Sequence, residues 1–146
     1  MNIIDTFDDE YRFLSNFWSC KVSFYKDKVK YEAQTVEHAY QAMKANSTDD
    51  FLEILNVEHP GQAKRAGRKV KLKDNWDGIK DAIMTQMVRA KFTQNDDLKQ
   101  KLKDTYPAIL IEGNSWGDTY WGMIEGIGGK NKLGNILMTV REEIRK

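Results

Sequence analysis

Glu37, Gln41 and Lys44 stand at i, i+4 and i+7, a spacing that projects all three from nearly one side of a helix. A carboxylate and an amine held in that way can serve acid–base chemistry. The plainer alternative is a solvated polar stripe whose i,i+4 pair adds about a few tenths of a kcal/mol. Glu37 falls in the first turn, where the positive end of the helix dipole favours a carboxylate. His38, one residue on, reads as a packing or surface residue. With two histidines and one cysteine, the chain offers no His-rich metal site, no Cys-based zinc cluster and no internal disulfide framework.

Asp118 is the second candidate. It lies in Trp116-Gly-Asp118-Thr-Tyr-Trp121-Gly122, between two indoles and among glycines. A carboxylate beside aromatic walls can act on a stacked planar ligand; alternatively, the segment plugs a core and Asp118 caps a turn. Gly128-Gly-Lys-Asn131-Lys-Leu-Gly134 comes next. Its glycines allow close backbone approach, and free N–H groups there can receive an anion. It is not a Walker loop and lacks the βαβ setting of a dinucleotide site, so a tight chain reversal is the simpler reading. Residues 64–73 carry six basic side chains and no acid, which makes either a solvated face or a seat for phosphate or nucleic acid. Trp76 follows at once. Four Trp and six Tyr serve either as packing or as a stacking platform for a nucleobase.

These residues need elements to hold them. Cys20-Lys-Val-Ser-Phe24 alternates and Val29-Lys-Tyr31 follows, which predicts a hairpin across residues 26–28 although the favoured Asn-Gly or Asp-Gly turn is missing. The N-terminal third therefore reads as short strands. From Thr35 the period becomes 3.6: Val36, Ala39, Tyr40 and Met43 form a core stripe, with Thr35 as N-cap. A second helix begins at Ser47 or Thr48 with Phe51, Leu52 and Leu55, and a short one follows Pro60. The longest helix is expected over residues 75–92 with Ile79, Ile83, Met87 and Ala90 inward. Asn95 then caps a helix holding Leu98 and Leu102. Ala108-Ile-Leu-Ile-Glu112 reads as a buried strand, and a final helix carries Leu133, Ile136, Leu137, Val140 and Ile144 inward. The fold class is α+β: a compact, mainly helical single domain over residues 1–146, with a small β-sheet.

The chain has 146 residues, with 23 Lys+Arg against 22 Asp+Glu. A chain of that size buries roughly 69% of its unfolded surface and needs no staples. No apolar run approaches the roughly 18 residues of a membrane span, and the start lacks the pattern of a secretion signal. The near-zero net charge argues against a general nucleic-acid coat protein. A soluble, cytoplasmic protein with no membrane partner is expected.

Taken in order, Phe13-Leu-Ser-Asn16-Phe17, Glu37-His-Ala-Tyr-Gln41-Ala-Met-Lys44, Trp76 with Lys91-Phe92, Glu112, Asp118-Thr-Tyr-Trp121-Gly122 and Gly129-Lys-Asn131-Lys-Leu-Gly134 resemble the NADAR family of N-glycosidases. The resemblance runs over about residues 7–141. It implies a compact, mostly helical α+β domain that hydrolyses N-glycosidic bonds with no metal and no cofactor. The substrates it implies are nucleotide-like small molecules: ribosylamino-pyrimidine intermediates of riboflavin synthesis or, in some members, ADP-ribose attached to guanine in nucleic acid. Carried over by position, the family's active-site residues are Glu37, Lys44, Trp76, Asp118 and Trp121. Asn16 and Asn131 match recurring polar positions, and Phe17 and Gln41 lie within the matching motifs as further substrate-binding candidates. Departures at Ile124, Tyr106 and the hairpin turn bear on pocket width and substrate choice.

Cleavage of a ribosyl C1′–N bond builds positive charge on the sugar and negative charge on the departing base, so one carboxylate beside C1′ and one proton donor suffice. Either Glu37 or Asp118 fits the first role. Lys44 pairs with Glu37 or with substrate phosphate, or attacks the ring-opened C1′ aldehyde as a Schiff-base amine. The competing reading is a non-catalytic nucleotide, ADP-ribose or nucleic-acid binding module.

Overall fold

The computed structural model describes residues 2–146, which divide into two compact units: residues 16–95, and residues 2–15 together with 96–146. The fold is α+β, mainly helical with two small sheets.

In the unit of residues 16–95, β2 (Val22–Lys26) and β3 (Val29–Ala33) form an antiparallel hairpin in which Phe24 faces Tyr31. The turn residues Asp27 and Lys28 both adopt positive φ, 52° and 68°, the conformation whose twist matches the flanking strands. The hairpin thus forms without the favoured glycine. One face of it packs Phe24 and Tyr31 on Phe51, with the Phe51 ring edge-on to both. Gln94 closes the outer edge of β2: its Oε1 accepts from Ser23 N at 2.7 Å and its Nε2 donates to Ser23 O at 2.9 Å. A side-chain amide here does the work of a third strand.

Three short helices, α1 (Val36–Met43), α2 (Thr48–Leu55) and α3 (Pro60–Gly67), precede the long α4 (Trp76–Gln94). Ser47 caps α2 and Pro60 opens α3, as expected. α1 packs against α2, α3, α4 and β3, and all eight of its residues are buried. A helix surrounded in this way has no solvated stripe, so its polar residues must find partners inside. The buried face of α4 is displaced from the expected one. Met87 and Ala90 do face inward, but the stripe is completed by Trp76, Met84, Val88 and Lys91, while Ile79 and Ile83 are half-buried. Lys91 hides the pattern, because a lysine that is 1% exposed reads as a surface residue.

In the other unit, β1 (Ile3–Ile4) pairs in parallel with β4 (Ile109–Leu110), and a 3₁₀ helix covers Asp9–Leu14. That turn, which opens with Asp9 at φ 53°, occupies part of the N-terminal third, whose expected strands form as the β2–β3 hairpin. α5 (Asp96–Asp104) and α6 (Lys132–Arg145) pack together, and α6 packs on β4. β4 is shorter than expected because the chain turns away after it: Glu112 N donates to Asn131 Oδ1 at 3.0 Å, and Glu112 O accepts from Met123 N at 2.9 Å. Arg141, on the buried face of α6, donates to Thr105 Oγ1 and to the Ala108 carbonyl. No helix among the described residues is long and apolar enough to cross a membrane.

Candidate active site

α1 is fastened before it is functional. Thr35 Oγ1 accepts from His38 N at 3.0 Å, the cap that the sequence predicts. The same hydroxyl lies 2.8 Å from His38 Nδ1, while His38 Nε2 lies 2.9 Å from the Val57 carbonyl. A carbonyl only accepts, so Nε2 carries the proton and Nδ1 accepts from the Thr35 hydroxyl. Burial holds the His38 pKa below its ordinary value, with the Val57 hydrogen bond opposing. His38 is therefore a packing residue, neutral and satisfied on both nitrogens.

The neighbouring carboxylate is held by its own helix. Glu37 is buried, its N–H donates to the Asn16 carbonyl at 3.1 Å, and its Oε1 accepts from Gln41 Nε2 at 2.8 Å. The other amide atom, Gln41 Oε1, is buried with no hydrogen-bond partner among the described residues. Asn16 contributes its backbone to this end of α1 and turns its buried side chain toward Met84 Sδ at 3.5 Å. Phe17, the next residue, is exposed.

Lys44, one helical turn after Gln41 and two after Glu37, is half-buried. Burial lowers its pKa from the ordinary lysine value; Glu37 opposes the shift, while Arg68, Lys80 and Lys64 add to it. Three further cations thus act on the Lys44 ammonium from α3, the residue that follows it, and α4. The basic run is split accordingly: Lys64 and Arg68 act on Lys44, whereas Lys73 has Lys26 and Asp27 as its charged neighbours. The Lys44 Nζ lies 5.5 Å from the centre of the Tyr40 ring, which packs on Trp76 at 5.4 Å. Trp76 is buried, so it backs this corner together with Tyr40. Glu37, Gln41, Lys44, Trp76 and the Asn16 backbone accordingly gather around α1.

Asp118, Trp121 and Asn131 belong to the other unit. Asp118 Oδ1 accepts from Tyr120 N at 3.0 Å and from Trp121 N at 2.8 Å, while Asn114 grips the Asp118 peptide from both sides, at 3.0 and 2.8 Å. Asp118 therefore ties the turn that sets Trp121. Asn131, at φ 49°, donates from Nδ2 to Leu110 O at 2.9 Å and accepts at Oδ1 from Glu112 N. Both polar atoms of Asn131 are committed to the backbone, which makes it a brace for the site elements. The glycine-rich start of α6 is a chain reversal. Its Asn131, Lys132 and Leu133 N–H groups donate to the carbonyls of Gly122, Tyr120 and Trp121, leaving that helix start engaged by the protein's own backbone. At Gly129 and Gly134 an added Cβ would overlap the carbonyls of Gly122 and Leu110, so this tight packing requires glycine.

Asn114 and Tyr120 are additions that no feature of the sequence singled out. Tyr120 stacks edge-on to Trp121 at 4.9 Å and has Lys132 Nζ 4.8 Å from its ring centre. An aromatic flanked by lysines ten and twelve residues further on leaves no local signal. Among the described residues no group of three or more His, Cys, Asp or Glu side chains is arranged to hold a metal ion.

The model of the NADAR domain family matches residues 4–145. The chain belongs to the NADAR family. Within that family it is similar to the N-glycosidase YbiA of Escherichia coli, 38% identical over 148 residues that cover 99% of this chain and 88% of that one. It is also similar to a riboflavin biosynthesis protein of Vibrio vulnificus, 33% identical over 141 residues, covering 95% of this chain and 37% of the longer one. The NMR structure of the E. coli YbiA protein matches with a TM-score of 0.86 at 35% identity, covering 99% of this chain and 85% of that one. Glu37 and Gln41 thus sit on α1 where a core helix would otherwise be apolar.

Proposed function

We propose that this NADAR-family N-glycosidase hydrolyses the bond between C1′ of a phosphorylated ribose and the nitrogen of a planar heterocycle, a ribosylamino-pyrimidine of the riboflavin route being the leading substrate. The observation that carries the reading is the arrangement on α1. A buried carboxylate fixed by Gln41 stands two turns along the helix from a lysine on which Lys64, Arg68 and Lys80 also act. A fixed carboxylate is what a developing oxocarbenium and its attacking water require, and a group of cations suits a phosphate. Glu37 is assigned to stabilising C1′ and orienting water, and Lys44 to pairing with the phosphate or with Glu37. Asp118 and Trp121 are assigned to the same reaction through the motif that contains them; with Oδ1 tied to two amides, Asp118 acts through Oδ2. Gln41 and Asn16 position Glu37, Asn131 braces the elements, the buried Trp76 backs Tyr40, and the exposed Phe17 contributes aromatic surface.

A second route has its own support. Burial lowers the Lys44 pKa, which raises the fraction of neutral amine able to attack the C1′ imine carbon formed when the ribose ring opens. In that route the amine adds to the opened C1′, the heterocycle leaves with a proton, and water hydrolyses the imine to free sugar phosphate and lysine. Borohydride added during turnover traps an adduct on Lys44 if this route operates. Active turnover with no adduct, together with a Lys44→Arg variant that retains kcat, rules it out.

The assay for the main proposal is parallel hydrolysis of a ribosylamino-pyrimidine 5′-phosphate and of ADP-ribosylated guanine, with chromatographic detection of the free heterocycle. Release from the first substrate supports the proposal. Release only from the second moves the assignment to ADP-ribosylated nucleic acid. Binding that falls steeply with salt, with no release from either, identifies a binding module.

A further inference from the structure

Gly67 ends α3 in ordinary right-handed helical conformation, and the following residue, Arg68, is also right-handed at φ −75° and ψ −18°. The usual reason for a glycine at a helix end, a left-handed turn, is therefore absent. Alanine is favoured over glycine in a helix, so backbone preference alone would not keep a glycine here.

What keeps it is a neighbour on α1. A Cβ added at Gly67 would overlap Gln41 Oε1 and come 2.8 Å from Gln41 Cδ, while the next nearest atom, Gln41 Cβ, is at a tolerable 3.4 Å. Among the described residues outside α3 itself, the Gln41 amide is thus the one obstacle. It is 5% exposed, its Oε1 has no partner among the described residues, and its Nε2 makes the 2.8 Å bond to Glu37 Oε1. Its Oε1 fills the space a Gly67 Cβ would take, so clearing that Cβ requires the amide that bonds Glu37 to move. We propose that Gly67 is a positioning residue of the glycosidase site: by presenting no side chain, it seats the Gln41 amide, and the seated amide fixes the Glu37 carboxylate. The proposal rests on the assignment of Glu37 to C1′.

The test is a double-mutant cycle over wild type, Gly67→Ala, Gln41→Ala and Gln41→Ala/Gly67→Ala, with kcat, KM and Tm measured on the ribosylamino-pyrimidine 5′-phosphate. Loss of one hydrogen bond to a charged group predicts a drop in kcat of about ten- to a hundredfold for either single variant. KM should change by less than about threefold, because the carboxylate acts on the transition state. The double variant should match Gln41→Ala within about twofold, because the alanine then has nothing to displace. Wild-type kcat in Gly67→Ala, or losses that multiply in the double variant, would overturn the proposal. Should Gly67→Ala fail to fold, the comparison of Gln41→Ala with the double variant decides the matter by the same criterion. The underlying assignment is judged separately, on Glu37→Gln, so its failure is distinguishable from that of the cycle.

Discussion

Glu37→Gln is the substitution whose outcome the geometry specifies most closely. The new amide is nearly the size of the carboxylate and keeps an oxygen facing Gln41 Nε2, now at 2.8 Å from Glu37 Oε1. What is lost is the charge assistance of that bond, worth about 1 kcal/mol, or a fall of about 3 °C in Tm for a chain of this size. The catalytic loss is far larger. A positioned acid–base group contributes about 10²–10⁴ in rate, equivalent to about 2.7–5.4 kcal/mol of barrier. A side effect runs in a known direction: Glu37 raises the Lys44 pKa, so its removal lowers that pKa further. Steady-state release of free heterocycle, alongside a thermal melt, measures both parts. A folded Glu37→Gln protein that turns over at the wild-type kcat would refute the assignment.

Further expectations concern other residues. Asp118→Asn retains an oxygen for the Tyr120 and Trp121 amides, so the turn should persist while kcat falls about a hundredfold or more; an unchanged kcat would leave Asp118 with a purely local role. Arg68→Ala should raise KM about tenfold for the 5′-phosphorylated substrate and much less for its dephosphorylated counterpart, and an equal rise for both would count against a phosphate seat. His38 titrates below its ordinary 6.5 in the folded protein, so the unfolded chain takes up the proton first as the pH falls. Its contribution is fully present above about pH 6.5 and is lost as the pH drops toward the folded value. Urea unfolding at about pH 8 and about pH 5 should accordingly show the advantage of wild type over His38→Gln shrinking in acid. An advantage that grows in acid would contradict the neutral, doubly bonded ring.

α1 was legible because its signals are local. Thr35 as a cap and the spacing of Glu37, Gln41 and Lys44 are properties of a single helix, and the NADAR motifs fall on that same stretch. Its burial was not legible. A polar stripe on a short helix reads as solvated, and only the packing of α2, α3, α4 and β3 around it turns that stripe inward. Gly67 was hidden for the same reason, since its significance lies in Gln41, far back in the chain. Asn131 is a binding candidate by its motif position alone, and its bonds to Leu110 and Glu112, about twenty residues back, carry no local signal. Lys91 shifted the reading of α4 because a buried lysine breaks the apolar period. The N-terminal 3₁₀ helix begins on a left-handed Asp9, a conformation that residue type does not announce.

The central claim is tested most directly by following a ribosylamino-pyrimidine 5′-phosphate incubated with wild type and with Glu37→Gln, quantifying both products. Wild type should release free pyrimidine and ribose 5′-phosphate in equal amounts, and Glu37→Gln should release at least about a hundredfold less per unit time. Equal rates from the two proteins, or no free pyrimidine from wild type, would contradict it.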